Sequence, residues 1–167
     1  MEPTARYEFD GNSVGHVGSC GNTVAPIVPT PLMLQQLAAD GVTPVGSPIE
    51  LLGRDDADNP LFEAPNLISV NGVYVLLFGS KCYSTMLYDI SYATATPVKG
   101  LFTKSSAPLM VTNDPYEVMA PGGAAATTDV TNMVFYANCA AGRCMLRLLL
   151  RYQGLPSQLA DLPANGV

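Results

Sequence analysis

Basic residues are scarce in this chain: 8 Lys plus Arg stand against 14 Asp plus Glu, for a formal net charge of -6 and a pI near 4.5. No Lys/Arg cluster exists to neutralise phosphates, so nucleic acid is excluded as a partner. Long apolar runs are also missing. The longest, Val73 to Phe78, falls far below the ~18 residues a membrane helix needs, so no membrane partner is expected. The start, MEPTARYEFDG, lacks a positively charged segment followed by an apolar core. It does not read as a secretory signal, which predicts either a cytosolic chain or one whose true N-terminus is missing. No CxxC pair occurs, so neither a zinc site nor a dithiol redox motif is expected. Gly122 and Gly123 are followed by no Gly-Lys-Ser/Thr, so a phosphate cradle is not expected either.

What is present points to strands. The 167 residues suffice for one domain with a real core. Nearly half are apolar, only 13% are charged, and 15 glycines with 14 prolines supply turns. That balance predicts an all-β fold of short strands joined by tight turns. The four cysteines, Cys20, Cys82, Cys139 and Cys144, permit several pairings. Cys139 and Cys144 flank Ala-Ala-Gly-Arg, a turn that a local disulfide can close. A disulfide would suit an extracellular protein; the alternative is buried free thiols.

Two segments share one pattern. LMLQQLAADGVTPVGSPIELL (Leu32 to Leu52) and YDISYATATPVKGLFTKSSAPLMV (Tyr88 to Val111) each run through a strand, a Thr-Pro-Val turn and a second strand. Pro44 and Pro97 mark equivalent places, 53 positions apart, close to the ~50-residue period of a four-stranded propeller blade. NGVYVLLFG (Asn71 to Gly79) and TNMVFYANC (Thr131 to Cys139) repeat more loosely, and Arg6-Tyr7-Glu8-Phe9 reads as the remnant of a third unit. About two complete blades plus pieces are expected, short of the roughly four to eight of a closed propeller. The stretch from Leu146 onward loses the alternation. It is read as a tail over 147–167, with one helical turn at most between Ser157 and Leu162, after a domain over 1–146.

One carboxylate stands out in NPLFEAPNLI (Asn59 to Ile68). Glu63 sits between apolar residues at the head of a strand-like run, and such a flank predicts desolvation, which favours the protonated, proton-donating form of a carboxyl. From the residues alone, a carboxylate paired with Arg or capping a turn is the commoner explanation.

With these segments in view, the chain resembles glycoside hydrolase family 43, especially its fungal arabinan-degrading members. The resemblance is carried by DGNSVGHVGSCGNTVAPIVPTP (Asp10 to Pro31), FEAPNLISVNGVYVLLFGSKCY (Phe62 to Tyr83), YDISYATATPVKG (Tyr88 to Gly100) and PGGAAATTDVTNMVFYANCAAGRCM (Pro121 to Met145), and spans roughly residues 6 to 146. It implies a five-bladed β-propeller, present here as a partial, open one of two to three blades of four-stranded antiparallel sheet. It also implies extracellular hydrolysis of α-L-arabinofuranosyl or related pentosyl linkages with inversion, on an arabinan or arabinoxylan-type oligosaccharide, without a cofactor. Glu63 matches the family's acid. The acid protonates the leaving oxygen while a base activates water on the opposite face of the sugar. The two family aspartates belong to blades N-terminal to the matching portion; Asp10, in an Asp-Gly-Asn turn, matches neither. A truncated product, inactive by itself, is the expectation.

Other residues carry two readings each. Tyr83 and Tyr88 can line a sugar subsite through their ring faces, or pack a blade with satisfied hydroxyls. His16 is the only histidine and reads as a structural hydrogen-bonder rather than a base. Asp55, Asp56 and Asp58 mimic the start of a calcium loop, but the required Gly and the closing Glu are absent, so a solvated turn is expected. Where many relatives read Gly-Pro-Gly-His, with the His near an axial metal or water, this chain has Ala120-Pro121-Gly122-Gly123, and no metal is expected. The rival to a catalytic remnant is a non-catalytic carbohydrate-binding or assembly module, self-associating through open blade edges. A third possibility is a chain that never folds stably because the core between absent blades stays exposed.

Overall fold

The computed structural model describes residues 5–9, 31–58, 62–113 and 115–149. Asp10, His16, Cys20 and the 157–162 stretch lie outside them. The described residues form ten strands: β1 (Ala5–Phe9), β2 (Leu32–Gln36), β3 (Ile49–Leu52), β4 (Phe62–Val70), β5 (Val73–Ser80), β6 (Asp89–Ala95), β7 (Thr103–Lys104), β8 (Met119–Ala126), β9 (Asn132–Cys139) and β10 (Gly142–Leu149). Among the described residues there is no α-helix, only a 3-10 turn at Asp56–Asp58. The strands form three antiparallel sheets ordered β1-β2-β3, β4-β5-β6-β7 and β10-β9-β8. The middle sheet is a four-stranded blade; its neighbours hold three described strands each, and the set does not close.

The apolar run in β5 is the key to the stacking. Successive strand side chains face opposite ways, so a strand with two buried faces reads as a continuous apolar run. Val75 and Leu77 join Ile90, Tyr92, Met133, Phe135 and Ala137 in the core shared with the β8–β10 sheet. Leu76 and Phe78 point the other way, into Leu32, Leu34, Leu51, Leu52 and Phe102 of the core shared with the β1–β3 sheet. The middle blade is therefore clad on both sides. β9 alternates instead: Met133, Phe135 and Ala137 are buried while Val134 and Tyr136 are exposed.

The repeat read from the sequence has a structural counterpart. Pro44 and Pro97 occupy matching connections, between β2 and β3 and between β6 and β7. Asn71-Gly72 turns β4 into β5, with both residues at positive φ. At the C-terminal end, β10 pairs with β9 through Leu149↔Asn132, and Arg147 donates to Asn132 Oδ1 at 2.9 Å. Regular pairing therefore runs three residues beyond the boundary read at Leu146.

Candidate functional site

The edge strands β4 and β8, which contact each other, both begin with a kink. In β4, Glu63 pairs with Gly79 but Asn66 with Leu77, so one extra residue is inserted between them. Such a bulge re-aims a strand end. In β8 the register slips twice, between Met119 and Gly122 and between Gly122 and Ala125. The segment Ala120-Pro121-Gly122-Gly123, read from the sequence as a loop, is part of this bulged strand.

The two kinks are copies of one another. Glu63-Ala64-Pro65 and Met119-Ala120-Pro121 stand 56 positions apart, and the central alanines have φ of 52° and 50°. A non-glycine residue in the left-handed region costs on the order of 1–2 kcal/mol. The proline that follows each alanine disfavours helical conformations at that position as well. Backbone strain of this kind gathers where a site must be held in one geometry. Met119 thus occupies the β8 place that Glu63 occupies in β4, and is half exposed.

Glu63 is partly buried and has one specific partner: the Tyr88 hydroxyl donates to its Oε1 at 3.0 Å. Tyr88 itself is only 3% exposed. A Cβ on Gly79 would meet its hydroxyl oxygen at 2.5 Å, and a Cβ on Gly122 would fall inside its ring. Glycine is needed at both places so that the ring can lie against bare backbone of β5 and β8. Arg143, at the start of β10, lies over the ring with its Cζ 5.3 Å from the centroid. Burial first, then the Glu63 carboxylate, pushes the Tyr88 phenol well above its usual range. Of the two readings for Tyr88, the geometry is that of a blade-packing residue with a satisfied hydroxyl; its ring faces are not open to a sugar.

The surroundings are tied down from three sides. Asp89, next in the chain, is fully buried and accepts from Lys81 Nζ at 2.5 Å, Ser80 Oγ at 2.8 Å and Ser91 Oγ at 2.9 Å. Thr112 donates its hydroxyl to Met86 O at 2.7 Å and accepts from Ala120 N at 2.9 Å, joining the 81–88 loop to the β8 bulge. Asn66 Oδ1 accepts from Ala126 N at 3.0 Å, joining β4 to β8.

Tyr83 is 42% exposed in that loop and lines an open depression of about 430 Å³ with Ser84, Asn138 and Arg143. The depression is bounded by the β9–β10 hairpin, which a Cys139–Cys144 disulfide closes with a Cα separation of 5.9 Å. Cys82 is disulfide-bonded too. Glu63, Tyr83 and Tyr88 stood out in the sequence and Gly122 only as part of a failed phosphate motif, whereas Arg143 and Gly79 did not, because their roles depend on contacts between blades.

Asp55 and Asp58 do not form a cation loop: Lys104 bonds to Asp55 at 2.9 Å and also to Asp58, while Arg54 lies 3.5 Å from Asp56. The Lys104 contact holds the Asp55 carboxyl below its usual range. Among the described residues no cluster of three or more His, Cys, Asp or Glu converges, and no helix is long and apolar enough to cross a membrane.

No family model matches the chain, and no curated protein does. Solved structures do. A thermostable family-43 glycoside hydrolase shares 18% identity over 71% of this chain and 43% of its own, with a TM-score of 0.61. A family-43 endo-arabinanase from Bacillus licheniformis shares 20% over 71% of this chain and 44% of its own, TM-score 0.61. An arabinanase from Bacillus subtilis shares 21% over 73% and 46%, TM-score 0.59. The chain spans less than half the length of these proteins and has the fold of family-43 β-propellers over the part they share.

Proposed function

We propose that Glu63 is the general acid of a family-43-like glycosidase site that cleaves α-L-arabinofuranosyl or related pentosyl linkages of plant cell-wall polysaccharide with inversion. The observation that carries this reading is the pairing of Glu63 with Tyr88 at the kinked head of β4. Oε1 is engaged by the phenol, which leaves Oε2 to carry the proton delivered to the leaving oxygen. A sugar–oxygen bond then breaks as water adds to the anomeric carbon from the other face. Asp89 is held by Lys81 and two serines and is not the water-activating base. In this reading that carboxylate lies outside the described residues. Tyr83, half exposed and lining the open depression, suits contact with a sugar.

Two disulfide-linked sites agree with an extracellular setting. The test is release of arabinose from arabino-oligosaccharides by the purified chain beside Glu63→Gln. Release lost in the variant supports the reading, release undiminished by the variant contradicts it, and a folded chain that releases nothing is a catalytic remnant.

A second reading, a non-catalytic binding or assembly module, is favoured by one face of the β8–β10 sheet. Val134, Tyr136, Met145 and Leu149 are all exposed there, an apolar surface of the sort that another blade or chain covers. Light scattering across a concentration series with an arabinan pull-down tests it: a strictly monomeric chain that binds no arabinan removes this second reading.

A further inference from the structure

We infer that Arg143 is a positioning residue for Glu63 that acts through the Tyr88 ring; the inference rests on Glu63 being the acid. Tyr88 is walled by Gly79 of β5 and Gly122 of β8, each without room for even a methyl group. Arg143 closes a further side, with its guanidinium over the ring. A cation on an aromatic face is attracted to the ring's negative quadrupole. It also draws electron density from the phenol, which makes the hydroxyl a better donor to the carboxylate it faces.

The guanidinium is fixed independently of the acid. Its Nη1 donates to Asn138 Oδ1 at 3.1 Å and to Tyr83 O at 3.3 Å, and Nη2 donates to Tyr136 O at 3.5 Å. Asn138 and Tyr136 belong to β9, and the Cys139–Cys144 disulfide holds the hairpin from which Arg143 projects. Among the described residues Arg143 forms no salt bridge with Glu63, so its influence passes through Tyr88. The β8–β10 sheet, which contributes no carboxylate to the site, thereby sets the orientation of the acid carried by the middle blade.

A bland role is available to the same residue: a hydrogen-bonding clamp between the 81–88 loop and the hairpin. Charge separates the two. Lysine retains a cation over the ring but loses the planar fork that reaches three acceptors. The measurement is the exchange rate of the Tyr88 hydroxyl proton by NMR in wild type, Arg143→Lys and Arg143→Gln, with the melting temperature of each recorded alongside. Exchange in the Gln variant is expected to be about fivefold faster or more, with the Lys variant close to wild type. Equal exchange in all three proteins, or equal acceleration in both variants, overturns the inference. Arg143→Met, which keeps the apolar stem, takes the place of the Gln variant if that one does not fold.

Failure of the acid reading shows elsewhere. Unchanged sugar release in Glu63→Gln refutes the acid, whereas hydroxyl exchange reports the positioning alone.

Discussion

The hydroxyl of Tyr88 meets Glu63 Oε1 at 3.0 Å across 25 positions of chain, joining the head of β6 to the head of β4. Around that bond the middle blade, the β8 bulge and the β9–β10 hairpin converge.

Gly122→Ala puts a methyl group inside the Tyr88 ring. Overpacking of this kind costs about 1–3 kcal/mol. Urea denaturation should show a loss of that size, and an unchanged midpoint would mean that Tyr88 does not lie against β8.

The raised Tyr88 phenol gives a pH dependence with a definite sign. A group whose folded-state pKa lies above its unfolded value stabilises the fold fully below the unfolded value, near ~10 for tyrosine, and that contribution is lost as pH rises toward the folded value. Wild type should lose stability above about pH 10, and Tyr88→Phe should lose less over the same window. Denaturation at two alkaline pH values checks this; parallel losses contradict it.

Asp89→Ala removes a fully buried carboxylate and takes an acceptor from the buried Ser80 hydroxyl and from the partly buried Lys81 and Ser91. Breaking a fully buried pair from one side costs about 3–5 kcal/mol, and a pair whose cation reaches solvent costs less. Thermal melting should place this variant well below Asp56→Ala, whose side chain is on the surface. Similar melting points for the two would contradict the anchoring role.

The exposed face of the β8–β10 sheet predicts association that charge suppresses. Val134→Lys with Met145→Lys should lower the weight-average mass seen by light scattering at high concentration while leaving the melting temperature near wild type. Association that persists unchanged would locate it on another surface.

How much of this was legible in the sequence depends on the range of the contact. β5 was readable because a continuous apolar run in a turn-rich chain is a strand buried on both faces, and Asn71-Gly72 marked its hairpin. Glu63 drew attention because its apolar flank is local, and it is partly buried in the fold. The Cys139–Cys144 link was readable because only a tight turn separates the two residues. Arg143 was not, since its meaning depends on a tyrosine 55 positions earlier being packed beneath it. Gly122 looked like part of a failed phosphate motif; it is a glycine because a ring occupies the space of its Cβ. The echo between Glu63-Ala64-Pro65 and Met119-Ala120-Pro121 is present in the letters, but only the φ angles reveal two copies of one strained kink. The end of β10 escaped because Arg147 and Leu149 face outward, which dilutes the alternation that marks a strand.

The most direct measurement compares Glu63→Gln with wild type on two substrates: an arabino-oligosaccharide, whose leaving group needs a proton, and 2,4-dinitrophenyl α-L-arabinofuranoside, whose leaving group does not. General acid catalysis contributes roughly 10²–10⁴-fold. The account predicts a loss of that order on the oligosaccharide with the dinitrophenyl substrate largely spared. A folded wild-type chain that cleaves neither would mark a catalytic remnant; equal losses on both substrates, or no loss on either, would contradict the assignment of Glu63 as the acid.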